Sequence, residues 1–195
     1  RQMCIRDRVT DFIVEQGRLK AVMVNGSERI DTEALVPAIG HSARDTFSML
    51  LKNEIPMESK SFAVGVRMEH PQAMIDEFQY GMKNDGTLPP ASYKLTENLA
   101  CGRGVYTFCM CPGGYVVNAS SEPGRLAVNG MSYHDRDGFN ANSAVIVTVT
   151  PQDYGGTGVL AGMEFQRRLE EAAYRLGKGR IPVQLFEDFC KNRPS

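Results

Sequence analysis

The sequence lacks an excess of charge of either sign and has no long apolar segment. Its 195 residues carry 22 Lys and Arg against 23 Asp and Glu, a formal net charge of −1, and the basic residues form no run. Such a chain has no long-range field to attract a polyanion, so a nucleic-acid partner is not expected. No segment reaches the roughly 18 apolar residues that cross a bilayer, and the start lacks the apolar core of a secretory signal. We therefore expect a cytoplasmic protein without a membrane partner, of unspecified oligomeric state.

A disulfide framework is also absent from the pattern. Five cysteines are an odd number, and their spacing is uneven: Cys4, Cys101, Cys109, Cys111 and Cys190. A closed zinc site needs four ligands in recognised spacings such as C-x2-C, and the C-x-C pair at 109 and 111 offers no such set. Residues two apart on a strand point to the same face, so the side chains of Cys109 and Cys111 are expected on one face. We predict no metal site and expect buried, unreactive thiols.

What is present is the composition of a folded domain. Hydrophobic residues make up 42% and charged residues 23%, and the length suits one large domain or a small one attached to part of another. The first eight residues, RQMCIRDR, resemble translated sequencing-adapter sequence. We treat residues 1–8 as a non-native leader, with an ordinary polar coil as the alternative.

The next segment alternates predicted strands with tight turns. Strands are predicted at VTDFIVE and RLKAVMV, with turns at Gln16-Gly17 and Asn25-Gly26. Asn-Gly between apolar alternations is typical of a hairpin, because both residues tolerate positive φ.

A third strand and a helix are predicted after the hairpins. The apolar run ALVPAI, which ends at Gly40, suggests a strand buried on both faces, although Pro37 cannot donate to a central ladder. The segment TFSMLLK has helical spacing, and Ser42 and Asp45 are spaced as a capping box.

A second, β-rich part is predicted over residues 57–158. It opens with the strand FAVGVRME and a helix from Pro71 whose apolar face holds Met74, Ile75 and Phe78. Further short strands are predicted at YKLTENLA, GVYTFCMC, YVVNAS, RLAVNG and AVIVTVT. A helix over about residues 159–176 and a last one at VQLFEDFCKN form a C-terminal helical segment, residues 159–195.

The segment AIGHSARD at 38–45 supports two readings. A helix N-terminus after a strand presents free N–H groups that suit an anionic group, and Gly40 would let the backbone approach closely. The same Gly40-His41-Ser42 begins like the nucleophile elbow of serine hydrolases, with His70 and His134 as candidate partners. Arg44 stands where that motif needs a glycine.

The densest pattern is the block CMCPGGYVVNASSEPGRLAVNGMSYHDRDGFNANSA at 109–143. Pro112-Gly113-Gly114 predicts a tight corner, Asn129-Gly130 a turn, and residues 136–143 a polar loop. Small and amide-bearing residues suit close packing against a planar ligand, and ordinary β-turns are the alternative.

These segments, from the hairpins through AIGHSARD and FAVGVRMEHP to the 109–143 block, resemble the bacterial FAD-dependent dehydrogenases over about residues 9–193. The resemblance implies FAD as cofactor, with NADH or NADPH as a candidate electron donor and a small-molecule substrate. By the same resemblance FAD or substrate would lie beside Ile39, Gly40, His41, Ser42, Pro112, Gly113, Gly114, Asn140 and Asn142. No catalytic residue is implied, and a flavin-linked thiol pair at Cys109 and Cys111 is the alternative to inert thiols.

The implied fold class is α+β: a partial Rossmann-like FAD-binding domain (β-hairpin, strand, helix) over residues 9–56, joined to a β-rich inserted substrate domain with flanking helices. The G-x-G-x-x-G fingerprint of such flavoproteins is absent from the sequence. We therefore expect an oxidoreductase in the intact protein and an inactive fragment here. A serine hydrolase using Ser42 and a non-catalytic β-rich binding module are the alternatives.

Overall fold

The computed structural model describes residues 7–195, which divide into two compact units. The first comprises residues 7–59 and Gly158–Met163, and the second comprises Lys60–Thr157 and Glu164–Ser195. Residues 1–6, most of the predicted leader, lie outside the described part. The last two leader residues contact the first unit, because the Asn25 amide donates to Asp7 and the Arg8 backbone N–H donates to Asn25 Oδ1 at 3.0 Å.

The first unit is built on an antiparallel sheet of three strands in the order β1-β2-β3, formed by Val9–Glu15, Arg18–Val24 and Glu28–Asp31. Both predicted hairpin turns are confirmed: φ is 51° at Gln16 and 73° at Gly17, and 53° at Asn25 and 77° at Gly26. Helix α1 (Arg44–Lys52) follows. Its Met49 and Leu50 pack with Leu19 on the buried side chains Phe12, Val22 and Val24.

The prediction of a buried strand at ALVPAI is wrong. The chain is irregular from residue 34 to 40, and Val36 is 89% exposed. The third strand forms earlier, at Glu28–Asp31, because the Asn25-Gly26 turn returns the chain directly onto β2. Pro37 has no N–H to give to a ladder, and no strand of the described residues pairs with this segment.

The second unit contains a four-stranded antiparallel sheet in the order β4-β9-β6-β5 and a two-stranded ribbon, β7-β8. The strands are Phe62–Pro71 (β4), Thr96–Asn98 (β5), Gly104–Cys111 (β6), Gly114–Asn118 (β7), Val128–Ser132 (β8) and Asn140–Val149 (β9). The helices are Gln72–Tyr80 (α2), Ala161–Leu176 (α3), most of it in this unit, and Phe186–Cys190 (α4). The protein is therefore a mixed α and β structure with antiparallel sheets and few helices.

One end of this sheet is closed by an aromatic cluster. Tyr154, 1% exposed, stacks on Phe62 with ring centroids 5.1 Å apart, and Phe165 of α3 meets both rings. Arg168 donates to the Tyr154 carbonyl at 2.6 Å. The long helix therefore packs on this cluster through Phe165, while Leu176 at its end is 77% exposed.

Three local predictions in this unit are wrong. Asn129-Gly130 lies inside β8, and the predicted polar loop 136–143 becomes strand from Asn140 onward. The apolar side of α2 is also not its packed side: Phe78 is 84% exposed, whereas Gln72 and Asp76 are buried. At β8 and α2 the departure follows from polar contacts with residues distant in the chain.

Candidate functional site

In the first unit, the segment Ile39–Ser42 leads into α1 as an exposed stretch. Gly40 has φ +66°, and nothing lies within 4 Å of the position where a Cβ would stand. The N-cap residue of α1 is Ala43, with no side-chain cap, so the predicted capping box of Ser42 and Asp45 is wrong. The Asp45 carboxylate instead pairs with Arg8. No side-chain hydrogen bond therefore caps the start of the helix.

The nucleophile-elbow reading of Ser42 lacks its structural context. Ser42 Oγ lies 3.4 Å from His41 Nε2, but both residues are exposed, and the strand that an elbow requires before its serine does not form at residues 34–40. His70, one of the candidate partners, shares a 2.8 Å hydrogen bond with the Tyr93 hydroxyl in the second unit.

In the second unit, the Pro112-Gly113-Gly114 corner is buried and occupied by protein. Gly113 has φ +51°, and a Cβ there would stand 1.8 Å from the Arg136 carbonyl oxygen. Its N–H donates to Gln72 Oε1 at 2.9 Å, and its carbonyl accepts from Gly138 N–H at 3.2 Å. A side chain at Gly113 would therefore meet backbone, which corrects the expectation that it would enter space for a planar ligand.

Gln72 and Asp76, on the inner side of α2, organise this corner. The Gln72 amide donates to Asp76 Oδ1 at 2.7 Å and to the Ala91 carbonyl at 2.9 Å, and Ala91 N–H donates to the same carboxylate oxygen at 2.7 Å. Buried polar groups need such partners, and here they tie α2 to the Ala91 loop and to Gly113. This explains why the helix turns its polar side inward.

Asn142 and Arg67 form the centre of a second polar network. Asn142 is fully buried in β9, and its Oδ1 accepts a 2.5 Å hydrogen bond from Arg67 Nη1. Arg67 also donates to the Cys109 carbonyl at 3.1 Å and to Asn129 Oδ1 at 3.2 Å, so one guanidinium bridges β9, β6 and β8. Asn142 Nδ2 is buried without a hydrogen-bond partner. Asn140, the other predicted site asparagine, donates to Glu69 on β4.

Sequence reasoning missed Arg67, although a single arginine within the apolar strand FAVGVRME was a usable signal. Its contacts also explain Gly130. A Cβ at Gly130 would lie 2.2 Å from Arg67 Nη1 and 2.2 Å from Asn142 Oδ1. Glycine is needed there because Arg67 packs across β8.

The β6 strand is interrupted by a register shift between Phe108 and Cys111 against β9. Cys109 has φ +49° and is exposed, whereas Cys111 is buried. The bulge defeats simple alternation, so the expectation that both thiols share one face and environment is wrong. Cys101 and Cys190 are also exposed, contrary to the expectation of buried thiols. Within residues 7–195, no cluster of three or more His, Cys, Asp and Glu side chains could hold a metal ion.

A cavity of about 250 Å³ lies beside this bulge, lined by Tyr93, Lys94, Thr107, Phe108, Cys109 and Met110. The lining residues include a tyrosine, a lysine and a cysteine, and the Tyr93 hydroxyl is hydrogen-bonded to His70. Burial raises the pKa of Tyr93 above its ordinary value, so the hydroxyl keeps its proton at neutral pH. His70, its hydrogen-bond partner, has a buried Nδ1 with no partner of its own. The cavity therefore has both polar and apolar residues in its lining.

The chain matches a known protein family over most of its length. A family model described as "FAD-dependent protein, C-terminal domain-like" matches residues 61–195. The chain belongs to this family. A protein from Clostridium beijerinckii, named as an uncharacterized protein, is 54% identical over 185 residues. The alignment covers 93% of this chain and 34% of that relative, so the chain spans about a third of the relative's length.

The predicted site residues differ in their exposure. Ile39–Ser42 are exposed before an uncapped helix start, and Gly40 leaves open space for a ligand to approach. In the second unit Pro112, Gly113, Gly114 and Asn142 are buried by protein, with Asn142 Nδ2 as one unsatisfied donor. Of the predicted residues, those of the first unit are therefore open to an approaching ligand, whereas Pro112, Gly113, Gly114 and Asn142 are enclosed by protein.

Among the described residues, no helix is both long enough and apolar enough to cross a bilayer.

Proposed function

We propose that the intact protein is an FAD-dependent oxidoreductase, a dehydrogenase that transfers hydride between FAD and a small-molecule substrate. The observation that carries the proposal is the family match over residues 61–195. NADH or NADPH is proposed as the electron donor, and the chain on its own is proposed to be inactive. The proposed location is the cytoplasm.

The first unit is proposed to hold part of FAD through Ile39, Gly40, His41 and Ser42. Backbone N–H groups at the start of α1 and the positive end of its dipole suit the diphosphate of the cofactor. The open space at Gly40 allows the backbone to approach that group. When bound, FAD supplies a ring that accepts hydride, while the protein supplies binding and orientation.

The cavity beside the β6 bulge of the second unit is proposed as a substrate-binding pocket. Tyr93 and Lys94 are proposed to orient a polar or anionic group of the substrate, because a tyrosine and a lysine line the cavity. The nine residues implied by the family resemblance then divide into two roles. Those of the first unit contact FAD, whereas Pro112, Gly113, Gly114, Asn140 and Asn142 shape the wall behind the cavity through Arg67, Gln72 and Glu69.

The test uses the protein extended to the length of the relative. We expect it to purify with flavin absorbance, and the flavin released on denaturation to be FAD. A colourless protein that cannot be reconstituted with FAD would contradict the proposal.

The Ser42→Glu variant tests the contact with FAD. A carboxylate at the start of α1 favours the helix dipole, so stability should not fall, but the charge should repel the diphosphate. We expect FAD to bind about tenfold more weakly, which corresponds to about 1.4 kcal/mol. Ser27→Glu is the matched control, because Ser27 is an exposed serine in the turn between β2 and β3 of the same unit. Equal FAD affinity in both variants would remove Ser42 from the cofactor site.

The extended protein also distinguishes the two alternative functions, a serine hydrolase and a non-catalytic binding module. A serine hydrolase would label with a fluorophosphonate probe at Ser42 and lose that label in Ser42→Ala. A non-catalytic binding module would neither label nor hold flavin.

A further inference from the structure

Cys109 and Cys111 stand in an unusual stretch of backbone. Cys109 adopts φ +49°, a left-handed conformation that costs a residue with a Cβ about 1 kcal/mol or more. The register of β6 against β9 shifts over the same residues, and the Arg67 guanidinium holds the Cys109 carbonyl at 3.1 Å. Strained residues at bulges cluster at functional sites, so the chemistry available here is informative.

The two thiols interact and differ in access to solvent. Cys109 is exposed, whereas Cys111 is 8% exposed. Cys111 Sγ lies 3.4 Å from the Cys109 carbonyl oxygen, and the neighbouring Cys109 is one of the groups that raise the pKa of Cys111. With one residue between them, their Cα atoms lie at most about 7 Å apart, close to the range of about 4.4–6.8 Å found across a disulfide. An accessible thiol therefore lies beside a protected one at a span that a disulfide can bridge.

We propose that Cys109 and Cys111 are a redox site that forms a reversible intramolecular disulfide by exchange with a small-molecule disulfide. The Cys109 thiolate attacks one sulfur of the small disulfide, forming a mixed disulfide and releasing one thiolate. Cys111 then loses its proton to solvent and attacks Cys109 Sγ, which forms the Cys109–Cys111 bond and releases the second thiolate. The pair loses two electrons, and the small disulfide is reduced to two thiols.

The surroundings of the two thiols determine which of them attacks first. Cys109 is the attacking thiol because a small disulfide can reach it from solvent. Burial, followed by the neighbouring Cys109, raises the pKa of Cys111 above its ordinary value. Cys111 therefore remains a thiol and resolves the mixed disulfide in a second step, which should accelerate as the pH rises.

The test uses the 195-residue chain, equilibrated with mixtures of reduced and oxidised dithiothreitol and then alkylated with N-ethylmaleimide. Trypsin separates the cysteines of interest: residues 104–125 contain Cys109 and Cys111, residues 95–103 contain Cys101, and residues 181–191 contain Cys190. Mass spectrometry should show the 104–125 peptide losing both labels together in a single two-electron transition. The Cys101 and Cys190 peptides should keep their labels as internal controls.

A 104–125 peptide that stays doubly alkylated under oxidising conditions, or loses only one label, would overturn the proposal. So would its appearance cross-linked to another peptide. Cys109→Ser and Cys111→Ser should each leave a singly alkylated peptide at every ratio. Because the measurement is made on the wild-type chain without flavin, its failure leaves the proposed FAD-dependent function untouched.

Discussion

Replacing Gly113 by alanine tests whether the CPGG corner is held by protein contacts. Gly113 has φ +51°, and its Cβ would lie 1.8 Å from the Arg136 carbonyl oxygen and 2.2 Å from its carbon. Gly124 is the matched control in the same unit, since it has φ +71° but nothing within 4 Å of its Cβ position. The two variants differ in steric overlap while sharing the left-handed backbone.

The expected magnitudes follow from that difference. Alanine in the left-handed region costs about 1–2 kcal/mol at either position. At Gly113 the overlap is with backbone, which cannot rotate away as a side chain can, and overpacking of this kind adds about 1–3 kcal/mol. We expect Gly124→Ala to lower the free energy of unfolding by about 1 kcal/mol and Gly113→Ala by about 3 kcal/mol.

Urea unfolding followed by tyrosine fluorescence measures this difference in the relevant part of the chain. The sequence has no Trp, and all seven tyrosines lie in the second unit, so the signal reports that unit. Equal losses of stability in the two variants, within about 0.5 kcal/mol, would refute the contact between Gly113 and Arg136. The space at Gly113 would then be open to a ligand, and reduced flavin content of Gly113→Ala in the extended protein would show that a ligand occupies it.

Two further predictions concern the polar groups of the second unit. Arg67→Met should lower the free energy of unfolding by about 2 kcal/mol, because it leaves the buried Asn142 Oδ1 without its donor. In a double-mutant cycle by urea unfolding, Arg67→Met with Asn142→Ala should then cost less than the sum of the single variants, and additivity within about 0.3 kcal/mol would contradict the pairing. Asp153 is bound by Arg103 and by the Thr150 backbone N–H, which hold its pKa well below the ordinary value. Its stabilisation should be present above the unfolded pKa of about 3.9 and be lost as the pH falls toward the depressed folded pKa. The melting temperature of wild type should therefore exceed that of Asp153→Asn at pH 6, and the gap should close at acid pH; a constant gap would contradict this.

The sequence predicts best where structure depends on local chemistry. Asn25-Gly26 and Gln16-Gly17 give hairpins because their positive φ values need only neighbouring residues. Asn129-Gly130 has the same turn signature but lies in β8. There the glycine makes room for Arg67, a residue distant in the chain. Turn statistics use only neighbouring residues, so they cannot predict this contact.

The candidate site shows the same dependence on distant residues. Cys109 and Cys111 follow the alternation of a strand in the sequence, yet the bulge against β9 gives them different environments. Gln72 and Asp76 look like the solvent face of α2, but they serve the backbone of Ala91 and Gly113. The periodicity of a sequence shows which side chains are polar. Burial in this unit depends instead on which backbone groups need hydrogen-bond partners.

The three glycines of the predicted cofactor site are required for different structural reasons. A Cβ at Gly113 would collide with the Arg136 backbone, and one at Gly114 would lie 2.6 Å from the Met131 carbonyl oxygen. Both glycines are therefore required by the protein itself, whether or not a cofactor binds. Gly40 needs its left-handed backbone but leaves the surrounding space open, next to a helix start without a side-chain cap. Of these three glycines, Gly40 is the one with space that a ligand could enter, whereas the contacts at Gly113 and Gly114 support the segment that follows Cys109 and Cys111.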